Sequence, residues 1–254
     1  MNLVTKNSGI LVLCDFDGTI CTVDVGNEVL NRFTGEGWEE IDRAYCTGAI
    51  GSKVAYMQVA PLFKGTKSQM LEFVSKCARI DPHFPAFYEF CKNMGVDLKI
   101  VSDGLDFYIS AILKKHNLQD IEFFSNVVVF QGGDGITIKF PRMNDKCNKC
   151  GTCKNAVLKQ QRSDHSQVIY IGNGYSDVCP AGDADIVFAK DVLYDMCRKN
   201  GTVCLHYKNF NDILVSLRQM LCLNYQILSE KADRCRTILR PMFLASPVEC
   251  AGRF

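Results

Sequence analysis

The sequence predicts an α/β fold in which helices cover both faces of a mostly parallel sheet. Short apolar runs recur along the 254 residues, and segments with apolar residues at helical spacing lie between them. Strands buried on both faces have such continuous apolar runs, and their alternation with helices is typical of parallel sheets. One long stretch, from about residue 25 to 76, has no such run. We therefore expect a Rossmann-like core with a small helical cap inserted near its start.

The first predicted strand is followed by a tight turn and then by the helical insert. Residues 10–14 form an apolar run, and Gly18 shortly after it permits a tight exit from the strand. In the insert, turns at 35–37 and 64–66 separate short helices. We expect residues 1–22 and 82–254 to form the core domain and residues 23–81 to form a helical cap domain between the first and second motifs described below.

Strands and helices alternate again after Pro82. We predict a helix at 87–92, a buried strand at 96–101, an amphipathic helix at about 105–116 and a β-hairpin formed by 124–130 and 136–140. A helix at 153–161 precedes a central strand at 167–171. Strands at 185–188 and 203–206 enclose a helix with Asp191 as its N-cap and Gly201 just past its end. Residues 209–231 have a helical pattern, whereas 237–254 show no clear period.

Composition argues against several classes of function. The formal net charge is only +1, with scattered lysines and arginines, so we expect no nucleic-acid partner. Apolar stretches are far shorter than the ~20 residues of a membrane span, and Asp15 appears before any signal-peptide pattern develops. Most of the 14 cysteines stand singly in apolar runs, which is typical of reduced core residues. We expect a cytoplasmic protein without a membrane partner, either a monomer or a homodimer.

Asp15 and Asp17 are the first candidates for chemistry. They directly follow the first predicted strand, and ligands of open α/β sheets bind beyond the carboxyl ends of strands. Residues two apart in an extended segment project to the same side, so both carboxylates can face one ligand while Phe16 turns into the core. One carboxylate can attack and the other can carry a proton, and the Thr19 hydroxyl can hydrogen-bond within its own turn. The alternative is a solvated turn after an ordinary strand.

Three further motifs follow in order. Ser102 lies at the end of the second predicted strand, Lys154 opens a predicted helix, and Gly172-Asn173-x-x-x-Asp177 follows a central strand. Taken singly, Ser102 is better explained as a turn residue at a strand end and Lys154 as a solvated surface charge. Their order and their positions at strand ends and a helix start favour a shared site.

With Asp15-x-Asp17-Gly18-Thr19, these motifs resemble the four ordered motifs of the haloacid dehalogenase superfamily. The helical insert and the segment Cys150-Gly151-Thr152-Cys153-Lys154 resemble its phosphoserine phosphatase-like branch. Within that branch, the sequence is most similar to the phosphatases that act on a methylthio-ketopentenyl phosphate in methionine salvage.

The resemblance implies a Mg²⁺-dependent phosphoric monoester hydrolase that forms an aspartyl phosphate. In such enzymes the residue matching Asp15 attacks phosphorus, and the residue matching Asp17 protonates the leaving alkoxide and then activates water. A carboxylate that attacks a phosphate must overcome like-charge repulsion. Ser102, Lys154 and Mg²⁺ would supply the hydroxyl and the positive charge that offset it.

The implied metal site departs from the family pattern at Asn173. The resemblance assigns Mg²⁺ to Asp15, the backbone carbonyl of Asp17 and residue 173, and Asp177 could hold the metal directly or through water. Most relatives have Asp where this chain has Asn173, so the ligand set loses one negative charge. We expect an active enzyme with a raised Mg²⁺ requirement. The competing interpretation is a protein that binds a phosphate ligand or a metal without turnover.

The expected partner is a small phosphorylated metabolite, selected largely by the cap. Asp24 resembles an acidic substrate-contacting residue of phosphoserine phosphatases, whereas Arg43 and Tyr56 are better explained as solvated cap side chains. The backbone N–H groups of Asp103 and Gly104 are candidates for holding the phosphate. Besides the methylthio-ketopentenyl phosphate, phosphoserine, phosphoethanolamine and phosphorylated vitamins are open as substrates.

Cys147, Cys150 and Cys153 form a separate pattern. Their spacing suits Zn²⁺ or an iron–sulfur cluster, but no fourth ligand follows at close spacing. Because Cys150 and Cys153 belong to the segment that matches the family, we favour packing near Lys154 at the rim of the site.

Overall fold

The computed structural model describes residues 9–133 and 135–221. Within them, one sheet has the strand order β4-β3-β2-β1-β5-β6-β7. The strands are β1 (Ile10–Cys14), β2 (Asp97–Leu105), β3 (Phe123–Phe130), β4 (Ile136–Lys139), β5 (Gln167–Gly172), β6 (Ile186–Ala189) and β7 (Leu205–His206). Neighbouring strands are parallel except for the antiparallel hairpin of β3 and β4. The predicted α/β class is confirmed.

Strand β1 lies at the centre of the sheet, because all five of its residues are apolar and buried. Its last residue, Cys14, is in register with Ile100 of β2 and Ile171 of β5. The residues that follow these three positions therefore meet at one edge of the sheet. On one face, the core joins strand residues to helix α7 (Lys154–Arg162) through Leu11, Leu13, Val101, Phe124, Val157, Leu158, Val168 and Tyr170.

Helices cover both sides of the sheet. The predicted insert contains α1 (Val25–Phe33), α2 (Trp38–Cys46), α3 (Ser52–Val59) and α4 (Lys67–Cys77). The remainder contains α5 (Phe84–Asn93), α6 (Asp106–Lys115), α7 (Lys154–Arg162), α8 (Val178–Asp183) and α9 (Asp191–Asn200). Among the described residues, no helix is both long and apolar enough to cross a membrane.

The chain divides into a larger compact unit, Met1–Asn211, and a smaller one, Asp212–Phe254. The described part of the smaller unit, residues 212–221, is helical, as predicted. The rest of the predicted 209–231 helix and the 237–254 tail lie outside the described residues. The division into a core and a 23–81 cap stays a prediction.

Several element boundaries differ from the predicted ones. Strand β2 extends to Leu105 because its pairing with β3 resumes after a register shift beyond Val101, so Ser102 lies within an irregular part of the strand. The N-cap of α9 is Lys190 rather than Asp191, whereas Gly201 ends this helix in the left-handed conformation as expected. Strand β7 has only two residues, and Val203 before it is 89% exposed.

Candidate active site

The site begins where β1 ends. The backbone N–H of Asp15 donates to the carbonyl of Ile171, 2.9 Å away, so the end of β1 is fixed to the end of β5. The chain then turns tightly at Phe16–Ile20, where Phe16 is fully buried and Gly18 has a φ of +71°. Asp15 and Asp17 both line the cavity that opens at this edge, as the sequence predicts.

Lys154 is the buried cation of the site. It is the first residue of α7 and only 3% exposed. Its Nζ donates to Oδ1 of Asp15 and to Oδ1 of Asp177, each at 2.6 Å. The alternative of a solvated surface charge is therefore wrong. This single ammonium group bridges two carboxylates that follow different strands.

Burial and the neighbouring charges shift the pKa values of Asp15 and Lys154. Burial, and next the negative charge of Asp177, raise the pKa of Asp15 to about 7, although Lys154 opposes both effects. Burial alone would lower the pKa of Lys154, but Asp15 and Asp177 outweigh it, so this pKa is raised above its ordinary value. Lys154 therefore stays positively charged at neutral pH.

Asp177 is fully buried and accepts hydrogen bonds at both carboxylate oxygens. Besides Lys154, its Oδ1 accepts the Tyr170 hydroxyl at 2.6 Å. Its Oδ2 accepts the backbone N–H groups of Asn173 and Gly174, at 3.0 and 2.9 Å. Asp177 thereby orients both the lysine and the Asn173 loop. Its direct ligation of a metal stays a prediction.

Asn173 meets the first motif directly. Its Oδ1 accepts the Thr19 hydroxyl at 3.0 Å, so the expectation that Thr19 bonds within its own turn is wrong. Gly18 lies so close to the Asn173 amide that a Cβ there would collide with it. The hydrogen bond between Thr19 and Asn173 joins residues 154 positions apart. The two residues meet because β1 pairs with β5.

Asp17 accepts three hydrogen bonds from two helices. Its Oδ1 accepts the N–H groups of Val25 and Gly26 at the start of α1, at 3.0 and 3.3 Å. Its Oδ2 accepts the hydroxyl of Tyr108, on α6, at 2.6 Å. Burial, followed by the charge of Asp24, raises the pKa of Asp17 well above its ordinary value, although these donors oppose the rise.

The second motif is held by its own hydrogen bonds and by the third motif. Ser102 is buried, and its Oγ accepts the N–H of Gly104 at 2.9 Å. Asp103 Oδ1 accepts the N–H of Thr152 at 2.8 Å and the Asn126 amide at 3.1 Å. These bonds tie the end of β2 to the loop before α7. Substrate binding by Asp103 and Gly104 stays a prediction.

A cavity of about 370 Å³ extends from these residues toward the insert. Its wall includes apolar and aromatic side chains of α1, α2 and α3, namely Leu30, Trp38, Ile41, Tyr45, Tyr56 and Val59. Tyr56 is thus a cavity residue rather than the solvated side chain expected from the sequence. Asp24, the N-cap of α1, and Asp42, which the sequence did not suggest, also line it. Lys154 is the only lysine or arginine among the described residues that line this cavity.

The described cysteines provide no metal centre. In residues 9–133 and 135–221, no three His, Cys, Asp or Glu side chains are placed so that they could hold a metal ion. Cys147 is exposed, Cys150 is half-buried and Cys153, the N-cap of α7, is buried. Packing of Cys150 and Cys153 near Lys154 stays a prediction.

The sequence is similar to those of known phosphatases. Residues 10–216 match the family model described as Putative Phosphatase. The chain is 30% identical over 213 residues to the 2-hydroxy-3-keto-5-methylthiopentenyl-1-phosphate phosphatase of Exiguobacterium sibiricum, an alignment that covers 82% of this chain and 96% of that protein. It is 28% identical over 214 residues to the protein of the same name from Brevibacillus brevis, with 83% and 96% covered.

Solved structures agree on the fold. A phospho-aspartyl intermediate analogue of phosphoserine phosphatase superposes with a TM-score of 0.64 at 18% identity, covering 81% of this chain and 97% of that one. The predicted resemblance to phosphatases is confirmed by the family model and the curated relatives, and the solved structures show the expected fold. The chain therefore belongs to the Putative Phosphatase family.

Proposed function

We propose that this protein is a Mg²⁺-dependent phosphatase that hydrolyses a small phosphomonoester through an aspartyl phosphate on Asp15. The contact of Lys154 with Asp15 and Asp177 carries the proposal, because a buried ammonium beside a candidate nucleophile suits an incoming phosphate. Asp17 lines the same cavity and supplies the second carboxylate that a two-step displacement needs.

The two steps use the described side chains as follows. A carboxylate oxygen of Asp15 bonds to phosphorus as the ester P–O bond breaks, and Asp17 gives its proton to the leaving oxygen. Lys154 offsets charge on the phosphoryl oxygens in both steps. Asp17 then accepts a proton from water, the water oxygen bonds to phosphorus, and the Asp15–phosphorus linkage breaks to release phosphate.

The donors at the sheet edge fit Mg²⁺. Asp15, the main-chain carbonyl of Asp17 and the Asn173 amide offer the hard oxygen atoms that Mg²⁺ prefers. Five carboxylates and one lysine line the described cavity, so the site has excess negative charge that a divalent cation would balance: Asp15, Asp17, Asp24, Asp42, Asp103 and Lys154. When bound, Mg²⁺ would neutralise charge on the transferring phosphoryl group.

We also propose that residues 23–81 act as the cap of this enzyme. The apolar part of the cavity wall comes largely from α1, α2 and α3, which belong to that segment. A leaving group attached to a phosphate near Lys154 would lie against these helices. Substrate selection is therefore assigned to the insert and phosphoryl transfer to the sheet edge.

The cavity favours an apolar, uncharged leaving group. Trp38, Tyr45 and Tyr56 offer aromatic surfaces, and thioether sulfur packs well against aromatic rings. We therefore propose 2-hydroxy-3-keto-5-methylthiopentenyl-1-phosphate, the compound in the names of the relatives, as the substrate. Phosphoserine is disfavoured, because the described cavity offers no second cation for its carboxylate.

Amine-bearing substrates are the second candidate. Asp24 and Asp42 line the cavity and could pair with the ammonium group of phosphoethanolamine or with a phosphorylated vitamin that carries an amine. An Asp42→Asn variant separates the two candidates. It should lower kcat/KM for the amine substrates only, because the methylthio chain carries no charge.

The test is a panel of phosphorylated metabolites scored by kcat/KM with Mg²⁺ present. We expect the methylthio-ketopentenyl phosphate to rank first and an Asp15→Asn variant to release no phosphate from any substrate. Phosphate release that is unchanged in Asp15→Asn would refute Asp15 as the nucleophile. Binding of inorganic phosphate without hydrolysis of any ester would favour a non-catalytic binding protein.

A further inference from the structure

We infer that Tyr108 is a positioning residue that holds the Asp17 carboxylate in the direction needed for proton transfer to the leaving oxygen. Tyr108 is fully buried, lines the cavity, and donates its hydroxyl to Asp17 Oδ2 at 2.6 Å. The inference rests on the proposed function, since it assigns Tyr108 a part in the reaction proposed there.

The contacts of Asp17 show what the tyrosine adds. The two N–H groups of α1 bind only Oδ1, and the Tyr108 hydroxyl is the donor placed at Oδ2. A carboxylate held at one oxygen can still rotate about its terminal torsion, for which the energy wells are broad. A donor at the second oxygen, from a different helix, fixes its plane.

The surroundings keep the phenol of Tyr108 in place. Its ring contacts Phe16 and Phe107, with centroids 6.4 and 5.4 Å away. Glycines leave room for the hydroxyl, since a Cβ at Gly104 would collide with it and one at Gly26 would lie 3.2 Å from it. The second motif and the start of α1 thus both accommodate this side chain.

The inference predicts an effect that depends on the leaving group. An alkoxide is a poor leaving group and requires a proton from Asp17, whereas 4-nitrophenolate leaves without one. Tyr108→Phe removes only the hydroxyl and preserves the ring contacts. We therefore expect kcat/KM for a primary alkyl phosphate to fall about 10- to 100-fold, and kcat/KM for 4-nitrophenyl phosphate to change less than about threefold.

The experiment measures both kcat/KM values on one preparation of the full-length protein, wild type and Tyr108→Phe, with Mg²⁺. Their ratio does not depend on what fraction of the preparation is folded, so a general loss of structure leaves it unchanged. Tyr88→Phe is the matched control and should alter neither value. Tyr88 lies on α5, and the centroid of its ring is 5.5 Å from the Lys92 ammonium.

A ratio that shifts toward the aryl phosphate by about tenfold or more supports the role of Tyr108. An unchanged ratio, with or without an overall loss of rate, overturns that role and leaves the proposed function intact. If the wild-type protein releases phosphate neither from these two esters nor from any member of the metabolite panel, the proposed function fails, and the inference fails with it.

Discussion

At the scale of single residues, the charge balance of the site depends on Lys154. Its one ammonium group pairs with two buried carboxylates, Asp15 and Asp177, whose side chains are 6% and 0% exposed. Removing one member of a buried ion pair leaves an uncompensated charge, which costs far more than removing an exposed pair. The lysine therefore contributes to folding as well as to the proposed chemistry.

Lys154→Met tests this dependence. We expect the free energy of unfolding to fall by about 3–5 kcal/mol, because the two carboxylates lose their shared cation. Lys159→Met, on the same helix, removes an exposed pair with Asp183 and should cost less than about 1 kcal/mol. Urea denaturation measures both. Equal losses in the two variants would contradict the buried role of Lys154.

Asn173 sets the expected metal requirement. Asn173→Asp adds a negative charge beside Asp15 and can still accept the Thr19 hydroxyl, so we expect the Mg²⁺ concentration for half-maximal activity to fall about tenfold. A Mg²⁺ titration of phosphate release measures it. An unchanged titration would exclude Asn173 from the metal site. No turnover by the wild type at any Mg²⁺ concentration, with activity restored in Asn173→Asp, would show that the chain has lost function.

At the scale of elements, α1 connects the predicted cap to the first motif. Its first two N–H groups bind Asp17, and its N-cap, Asp24, accepts the N–H of Asn27 at 2.8 Å. Asp24 thus has a structural role that is independent of any substrate. The sequence suggested this residue for substrate contact, and its capping contact provides a second reason for an acidic residue there.

Two substitutions separate these roles of Asp24. Asp24→Ala removes the cap and should cost about 1 kcal/mol of unfolding free energy, whereas Asp24→Asn keeps it and should cost little. Urea denaturation tests both. If Asp24 also contacts the substrate through its charge, Asp24→Asn should lower kcat/KM for amine-bearing esters without lowering stability. Equal kcat/KM values in Asp24→Asn and wild type for every ester would leave only the capping role.

At the scale of the whole molecule, the site is assembled from residues 15 to 177, which the parallel pairing of β1, β2 and β5 brings to one sheet edge. A ligand that bridges Asp15, Lys154 and Asn173 would therefore stabilise the larger unit as a whole. Anything that binds the folded state alone raises its stability, by about 2.7 kcal/mol at a concentration 100 times Kd.

Beryllofluoride, a mimic of the phosphoryl group on Asp15, tests this coupling. With Mg²⁺ present, we expect it to raise Tm by several degrees in the wild type and to have no effect in Asp15→Asn. EDTA should abolish the shift, since the mimic needs the divalent cation. Scanning calorimetry measures it, and an equal shift in Asp15→Asn would place the ligand elsewhere.

Much of the fold and part of the site could be predicted because their signals are local. The apolar run at 10–14 and the turn residue Gly18 determine the strand and its exit, as observed. The four motifs carry their chemistry in consecutive residues, so Asp15, Asp17 and Lys154 could be identified before any contact was known. The sequence does not predict the end of β2, because the register shift there depends on the partner strand, which no local pattern reveals.

By itself, then, the sequence determined the class of fold, the order of the motifs and the residues that are proposed to hold a phosphate. Only the tertiary structure decided which hydroxyl groups donate hydrogen bonds to the side chains of the site: Tyr108 donates to Asp17, Tyr170 to Asp177 and Thr19 to Asn173. Two of these three bonds join residues 91 and 154 positions apart, while Tyr170 reaches Asp177 across the end of β5. Hydrogen bonds depend on positions in space, and strand pairing, which no single segment encodes, places these donors within reach of their acceptors.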